Sequence, residues 1–318
     1  MKNLFINTGQ NAYSTQDPIS QDLFGAEFLG HRSFKDFDTR FQDLGLTHMR
    51  WPGGDPVEIG IDKNGDGTRE PTYDLTFDNY VEWDRNNGEP REGIREILSY
   101  THENDISLSI VLPTEKYVRT HLENGKDQAM EQATQEVNNF VTKIFDGTFG
   151  PTPKNITLEV GSEYYNTDVW RENVDQDVDI TGAFGDVFAT MSKEIDNVRN
   201  EFEQSSTNLE IAIQLGRIGT PEGHPGGDFS NNDDFINAFK EINALDSFDA
   251  LIFHRYVPNF WGIERGLSED VQGDKSLSKA HEKWETEADR PLDITAGFLS
   301  PTVNGRGDIE HGEVGLTN

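Results

Sequence analysis

The stretch "NITLEVGSEYYNTDVW" (155–170) decides how this chain is read. Ile156, Thr157, Leu158 and Val160 make a strand-like run that leads into Gly161. Two positions later a carboxylate, Glu163, stands between Ser162 and the pair Tyr164–Tyr165. A buried strand that ends on a glutamate wrapped in aromatic residues is the pattern expected where a sheet carries chemistry at the end of a strand.

Working outward, similar short apolar runs recur along the chain: 23–30, 47–53, 106–113, 209–216, 249–256 and 291–298. Between them lie longer stretches, 92–104, 129–145, 185–202 and 233–245, with apolar residues at three- and four-residue spacing. That spacing predicts helices packed on one face. Strands alternating with helices predict a parallel sheet of β–α units. The expected fold class is α/β, a (β/α)8 TIM barrel, in which all strand C-termini converge on one face. Seven strands are counted. The last residues, "HGEVGLTN", read as the start of a helix following strand seven, so the expectation is a barrel truncated before its last strand. Residues 1–20 are polar and expected to be irregular, with 21–318 forming one catalytic domain.

Hydrophobic residues make up 34% of the 318, low but enough for a barrel core. No run reaches the ~18 apolar residues of a membrane span, so no membrane partner is expected. The 58 acidic and 27 basic residues give a net charge of −31. Repulsion from phosphate argues against nucleic acid. Such a charge suits a salty or calcium-rich medium, where screening relieves self-repulsion. With no cysteine, disulfides and thiolate chemistry are excluded. The opening "MKNLFINTGQ" has no apolar core, so no signal peptide is visible. The expected location is nevertheless extracellular or periplasmic.

Polar residues cluster at the predicted strand ends. Glu163 has the plainest acid/base character, and Tyr164, Tyr165 and Trp170 would lower the local dielectric around it, the setting of a proton-donating carboxyl. In "LGLTHMRWPGGDP" (44–56), Arg50 offers a forked donor for a carboxylate or sugar hydroxyl, and Trp51 an apolar face for a sugar ring. The bland alternative is a tight turn after a core strand. In "IFHRYVPNFW" (252–261), His254 and Tyr256 end a strand and Phe260 and Trp261 follow. A core histidine with satisfied hydrogen bonds is the competing reading there.

The order "LFGAEFLGH", "LGLTHMRWPGG", "LEVGSEYY" and "FHRY" resembles glycoside hydrolases of clan A, nearest to the α-L-arabinofuranosidase, β-xylosidase and marine galactan-hydrolase branches. The resemblance spans about residues 20 to 318. It implies a carbohydrate substrate and a retaining mechanism, with Glu163 as acid/base and Arg50 as the arginine that orients a carboxylate. His254 and Tyr256 become active-site polar groups, and Trp51, Ser162, Tyr165 and Trp261 further substrate contacts. Two positions depart from the family. Ser162 stands where an asparagine usually precedes the acid/base. In "LDITAGFLS" the nucleophile position falls on Ala296, and a methyl group cannot attack an anomeric carbon. An introduced knock-out, a natural pseudoenzyme and a shifted register all account for this; in the last case Asp293, Asp308 or Glu310 would serve. The rival function is a non-catalytic carbohydrate-binding barrel.

"DKNGDGTRE" (62–70) alternates Asp62, Asn64 and Asp66 before Gly67, like the first half of an EF-hand loop. The twelfth position is Tyr73, so Glu70 or Asp74 would have to replace the usual bidentate glutamate. The expectation is a structural calcium ion with no organic cofactor.

Overall fold

The computed structural model describes residues 25–27, 43, 45–58, 93–174, 178–216, 230–256, 271–299 and 313–317. Eight strands form one sheet in chain order: β1 (Gly25–Glu27), β2 (His48–Trp51), β3 (Ser107–Leu112), β4 (Asn155–Val160), β5 (Asn208–Gln214), β6 (Ala250–Tyr256), β7 (Asp293–Leu299) and β8 (Glu313–Thr317). β1 to β7 pair parallel, each with the next. The first helix, α1 (Gly54–Glu58), follows β2, and α2 (Ile94–Glu103) precedes β3. Between β3 and β4 lie α3 (Glu115–Asn124) and α4 (Lys126–Phe145). A 3-10 turn (Tyr164–Asn166), α5 (Asp168–Asn173) and α6 (Ile180–Glu201) connect β4 to β5. α7 (Ser230–Glu241) and α8 (Val271–Ala288) precede β6 and β7. The result is a mixed α/β, barrel-like fold with parallel strands and helices in alternation.

Each of the seven expected strands is present. The C-terminal reading is corrected: within "HGEVGLTN" the described residues form β8 (Glu313–Thr317), antiparallel to β7, where a helix is expected from the sequence. β-Branched Val314 and Thr317 favour extended backbone, and β7 supplies the pairing partner. β8 also lies beside β1. The sheet therefore has an eighth strand, antiparallel to the one before it.

Four described helices escaped the apolar periodicity, and two of them, α1 and α5, are only five and six residues long. In α3 only Tyr117 and Val118 are buried hydrophobics, too few to mark a helical face. α8 is polar through most of its length and anchors on Trp284. α6 starts earlier than its apolar pattern because the Asp179 side chain accepts from Gly182 N and caps it.

Residues on β2–β5 largely alternate between two environments, with Val111 of β3 the exception among the core residues. Met49, Trp51, Leu108, Ile110, Leu112, Ile156, Leu158, Val160, Leu209, Ile211 and Ile213 belong to the main hydrophobic core beneath the helices. The other face is polar and pairs laterally. His48 Nε2 meets Ser109 Oγ at 2.8 Å, Arg50 Nε donates to Glu159 Oε2 at 2.8 Å, and Thr157 Oγ1 donates to Glu210 Oε2 at 2.8 Å. Ala212, Ala250 and Ile252 make a small separate apolar cluster. Burying polar groups in the sheet interior is tolerable because neighbouring strands supply their partners.

Candidate active site

β4 stops at Val160 and the backbone turns sharply. Gly161 has φ 83° and Glu163 has φ 48°, the left-handed region. A Cβ on Gly161 would lie 2.5 Å from Phe188 Cζ, so residue 161 has no room for a side chain. Tyr164 then anchors the turn in the core. Its ring centroid lies 5.0 Å from that of Trp170, 5.3 Å from Phe184 and 5.2 Å from Phe235. Its hydroxyl accepts from Asn231 Nδ2 at 2.8 Å. Left-handed backbone on a glutamate costs about 1 kcal/mol or more and persists only where the surroundings enforce it.

Those surroundings grip Glu163 closely. The residue is 6% exposed. Asn166 Nδ2 donates to Glu163 Oε2 at 2.6 Å, and Asn166 N donates to the Glu163 carbonyl at 2.6 Å. Glu163 N donates to Gln214 Oε1 at 3.4 Å, and Gln214 Nε2 donates to Ile252 O at 3.2 Å. Gln214 of β5 thus holds the Glu163 backbone, and Asn166 of the 3-10 turn holds its carboxylate.

Arg50 does hold a carboxylate, but a different one. Its Nε donates to buried Glu159, and Nη2 reaches Ser162 Oγ at 3.3 Å. Ser162 packs so closely on Gly54 that a Cβ there would be 2.1 Å from Ser162 Oγ. The β2 and β4 loops therefore touch directly. The expectation for Trp51 is corrected: it is fully buried in the core, because strand alternation sends it to the helix side opposite Arg50. It supports the turn and presents no face to a sugar. Tyr165 is half-buried, edge-on to Tyr164 at 5.3 Å.

Two more carboxyls lie in the loops beside the site, and one imidazole, His48, lies toward the other end of the strands. Glu58, at the end of α1, is buried and accepts from Thr114 N at 2.9 Å, Thr114 Oγ1 at 2.7 Å and Glu115 N at 2.8 Å. Burial pushes its carboxyl up to about 7, although these donors pull the other way. Burial also raises Glu115, against its bonds from Arg119 and from Val169 N. Burial holds the His48 imidazole below its usual value, opposed by nearby Glu159.

At β6 and β7 the register is described, although the side chains of His254, Tyr256 and Ala296 lie outside the described residues. Gln214 pairs with Ile252 and Ile252 with Thr295; His254 pairs with Gly297. Ala296 pairs with Phe253, one residue out of those two rows. Bringing position 296 to the site therefore needs a break in the pleat, of the kind Gly161 makes in β4. Trp261 and the calcium candidates Asp62, Asn64, Asp66 and Glu70 lie outside the described residues. Among the described residues no group of three or more His, Asp or Glu could hold a metal ion.

Sequence reading missed Glu159, Glu58 and Asn166. Only Glu159 left a trace, as the charged member of an alternating strand. A cavity of about 550 Å³ lies at the opposite, N-terminal ends of the strands, lined by His48, Asn155, Thr157, Arg199, Glu210 and Asp249 among others. Its polar walls pair with one another, as Thr157 does with Glu210 and Arg199 with Asp249.

No family model matches the chain, and no curated protein does. Among solved structures, CJP38, a β-1,3-glucanase and allergen of Cryptomeria japonica pollen, aligns with it at TM-score 0.41 and 11% identity. That alignment covers 86% of this chain and 75% of the glucanase. Similarity at this level carries no argument about fold or activity.

Proposed function

We propose that this chain is a (β/α)8-type glycoside hydrolase domain acting on a poly- or oligosaccharide, with Glu163 as the acid/base. The observation that carries the reading is the setting of Glu163. A buried carboxylate stands at the C-terminal end of a parallel strand, in left-handed backbone, held by an amide and a neighbouring strand. In a retaining mechanism Glu163 protonates the leaving glycosidic oxygen while a second carboxylate, roughly 5–5.5 Å away, attacks the anomeric carbon. Glu163 then deprotonates the water that releases the sugar. The family resemblance assigns the nucleophile to position 296, which the register sets one residue out of the rows facing the site. With no nucleophilic atom at Ala296, the chain is expected to bind its sugar and turn it over poorly or not at all. An extracellular or periplasmic location accords with the −31 charge.

A second reading, a non-catalytic carbohydrate-binding barrel, is favoured by Ala296 itself, which has no nucleophilic atom. One experiment separates the two. Oligosaccharide binding and hydrolysis are measured for the unmodified chain, Ala296→Glu and, because of the register, Gly297→Glu. Restored hydrolysis in either variant, lost again with Glu163→Ala, supports the hydrolase and locates the nucleophile. Binding with no restoration supports the binding barrel. Robust hydrolysis by the unmodified chain that survives Glu163→Ala removes Glu163 from the chemistry.

A further inference from the structure

We propose that Glu58 and Glu115 are positioning residues, a two-carboxylate relay that fastens the loop carrying Glu163 to the loops after β2 and β3. The first N–H groups of a helix have no partner within it. In α3 the Thr114 side chain makes no capping hydrogen bond to them. The cap comes from another loop. Glu58 Oε2 accepts from both Thr114 N and Glu115 N, and Oε1 accepts from the Thr114 hydroxyl. Glu115, held in this way, turns its own carboxylate onward. Its Oε1 accepts from Val169 N at 3.0 Å and from Arg119 Nη2 at 2.8 Å. Val169 is the second residue of α5, just after the turn in which Asn166 grips Glu163.

The path closes on itself. Glu58 ends the helix begun by Gly54, and Gly54 packs against Ser162, the residue before Glu163. Arg50 Nη2 bonds the same Ser162 hydroxyl. The loops after β2, β3 and β4 thus form a ring of contacts around the acid/base, and the buried carboxylates are two of its links. Burial raises both carboxyls. The charged group that acts on Glu58 is Glu115, and those that act on Glu115 are Arg119 and Asp168. The catalytic meaning of the ring rests on Glu163 being the acid/base; the ring itself is tested without activity.

The test is backbone amide hydrogen exchange on the full chain. Glu58→Leu should speed exchange at Thr114 and Glu115 by at least about tenfold, the loss of one ordinary hydrogen bond. The relay predicts that Val169 and Asn166 quicken as well. Glu58→Gln keeps an acceptor oxygen and should restore protection at all four. Glu115→Ala should release Val169 while leaving Thr114 protected, and this holds the test open if Glu58→Leu does not fold. Exchange that rises at Thr114 and Glu115 alone would make Glu58 a local helix cap and overturn the relay. So would an unchanged Val169 in Glu115→Ala. Oligosaccharide binding measured on the same variants separates the two ideas: a relay seen by exchange in a chain that binds no sugar leaves the ring standing and removes the hydrolase reading.

Discussion

At the scale of single residues, the site depends on two backbone conformations that ordinary side chains resist. Gly161 is tolerated because it has no Cβ, both for its φ of 83° and for the Phe188 ring 2.5 Å from where a Cβ would sit. A ring fixed in an aromatic cluster cannot move aside as a flexible chain end would. Gly161→Ala should therefore destabilise the fold by about 3 kcal/mol, combining backbone strain and overpacking. Urea unfolding checks this, and a loss under about 0.5 kcal/mol, the range of neutral surface changes, would mean that the β4 turn is not as tight as described. Glu163 occupies the other strained position, two residues on. A glutamate held there against its own preference is what links the geometry to chemistry.

At the scale of elements, buried polar side chains join pieces that local periodicity leaves separate. Asn232 Oδ1 accepts from Trp284 Nε1 at 3.0 Å and from Gly216 N at 3.0 Å, tying α7 to α8 and to the end of β5. Asn232→Ala leaves both donors without this acceptor in a buried place and should cost about 2–3 kcal/mol, read by thermal or urea unfolding. Glu58 gives a pH-dependent prediction. Its folded carboxyl is raised from 4.5 to about 7, so its contribution to stability is fully present below about 4.5 and is lost as pH rises through about 7. Glu58→Gln does not titrate. The stability of the parent chain relative to Glu58→Gln should fall between pH 4.5 and 7 and level off above. Urea melts of both proteins across that range check the sign; a flat difference would mean that the carboxyl titrates near its ordinary value.

At the scale of the whole molecule, a net charge of −31 works against the compact state. Raising NaCl from about 0.05 to about 0.5 M shortens the screening length severalfold, so the melting temperature should rise. A falling melting temperature would show that attractive ion pairs outweigh the net repulsion. Calcium is a distinct proposal at this scale. Chelation should lower the melting temperature, and Asp62→Ala combined with Asp66→Ala should abolish that response, because carboxylate oxygens supply most of the binding. A melt insensitive to both calcium and chelator removes the proposal.

Strand positions were legible in the sequence because each is a short apolar run that the chain carries locally, and the structure resolves several of them into a two-residue alternation. β4 and β5 show it most clearly, with Ile156, Leu158 and Val160 toward the helices and Thr157 and Glu159 on the other side. Glu163 could be picked out for the same reason, as the polar residue just past a strand end. Partners could not be read this way. Arg50 meets Glu159 across 109 positions and Thr114 meets Glu58 across 56, and such pairs depend on the register between strands and on where loops fold back. Trp51 shows the limit within four residues. Its type suited a sugar platform, but the pleat that turns Arg50 to the interior turns Trp51 into the core. β8 shows it for a whole element, since a five-residue run too short to declare its own structure becomes a strand only when β7 pairs with it.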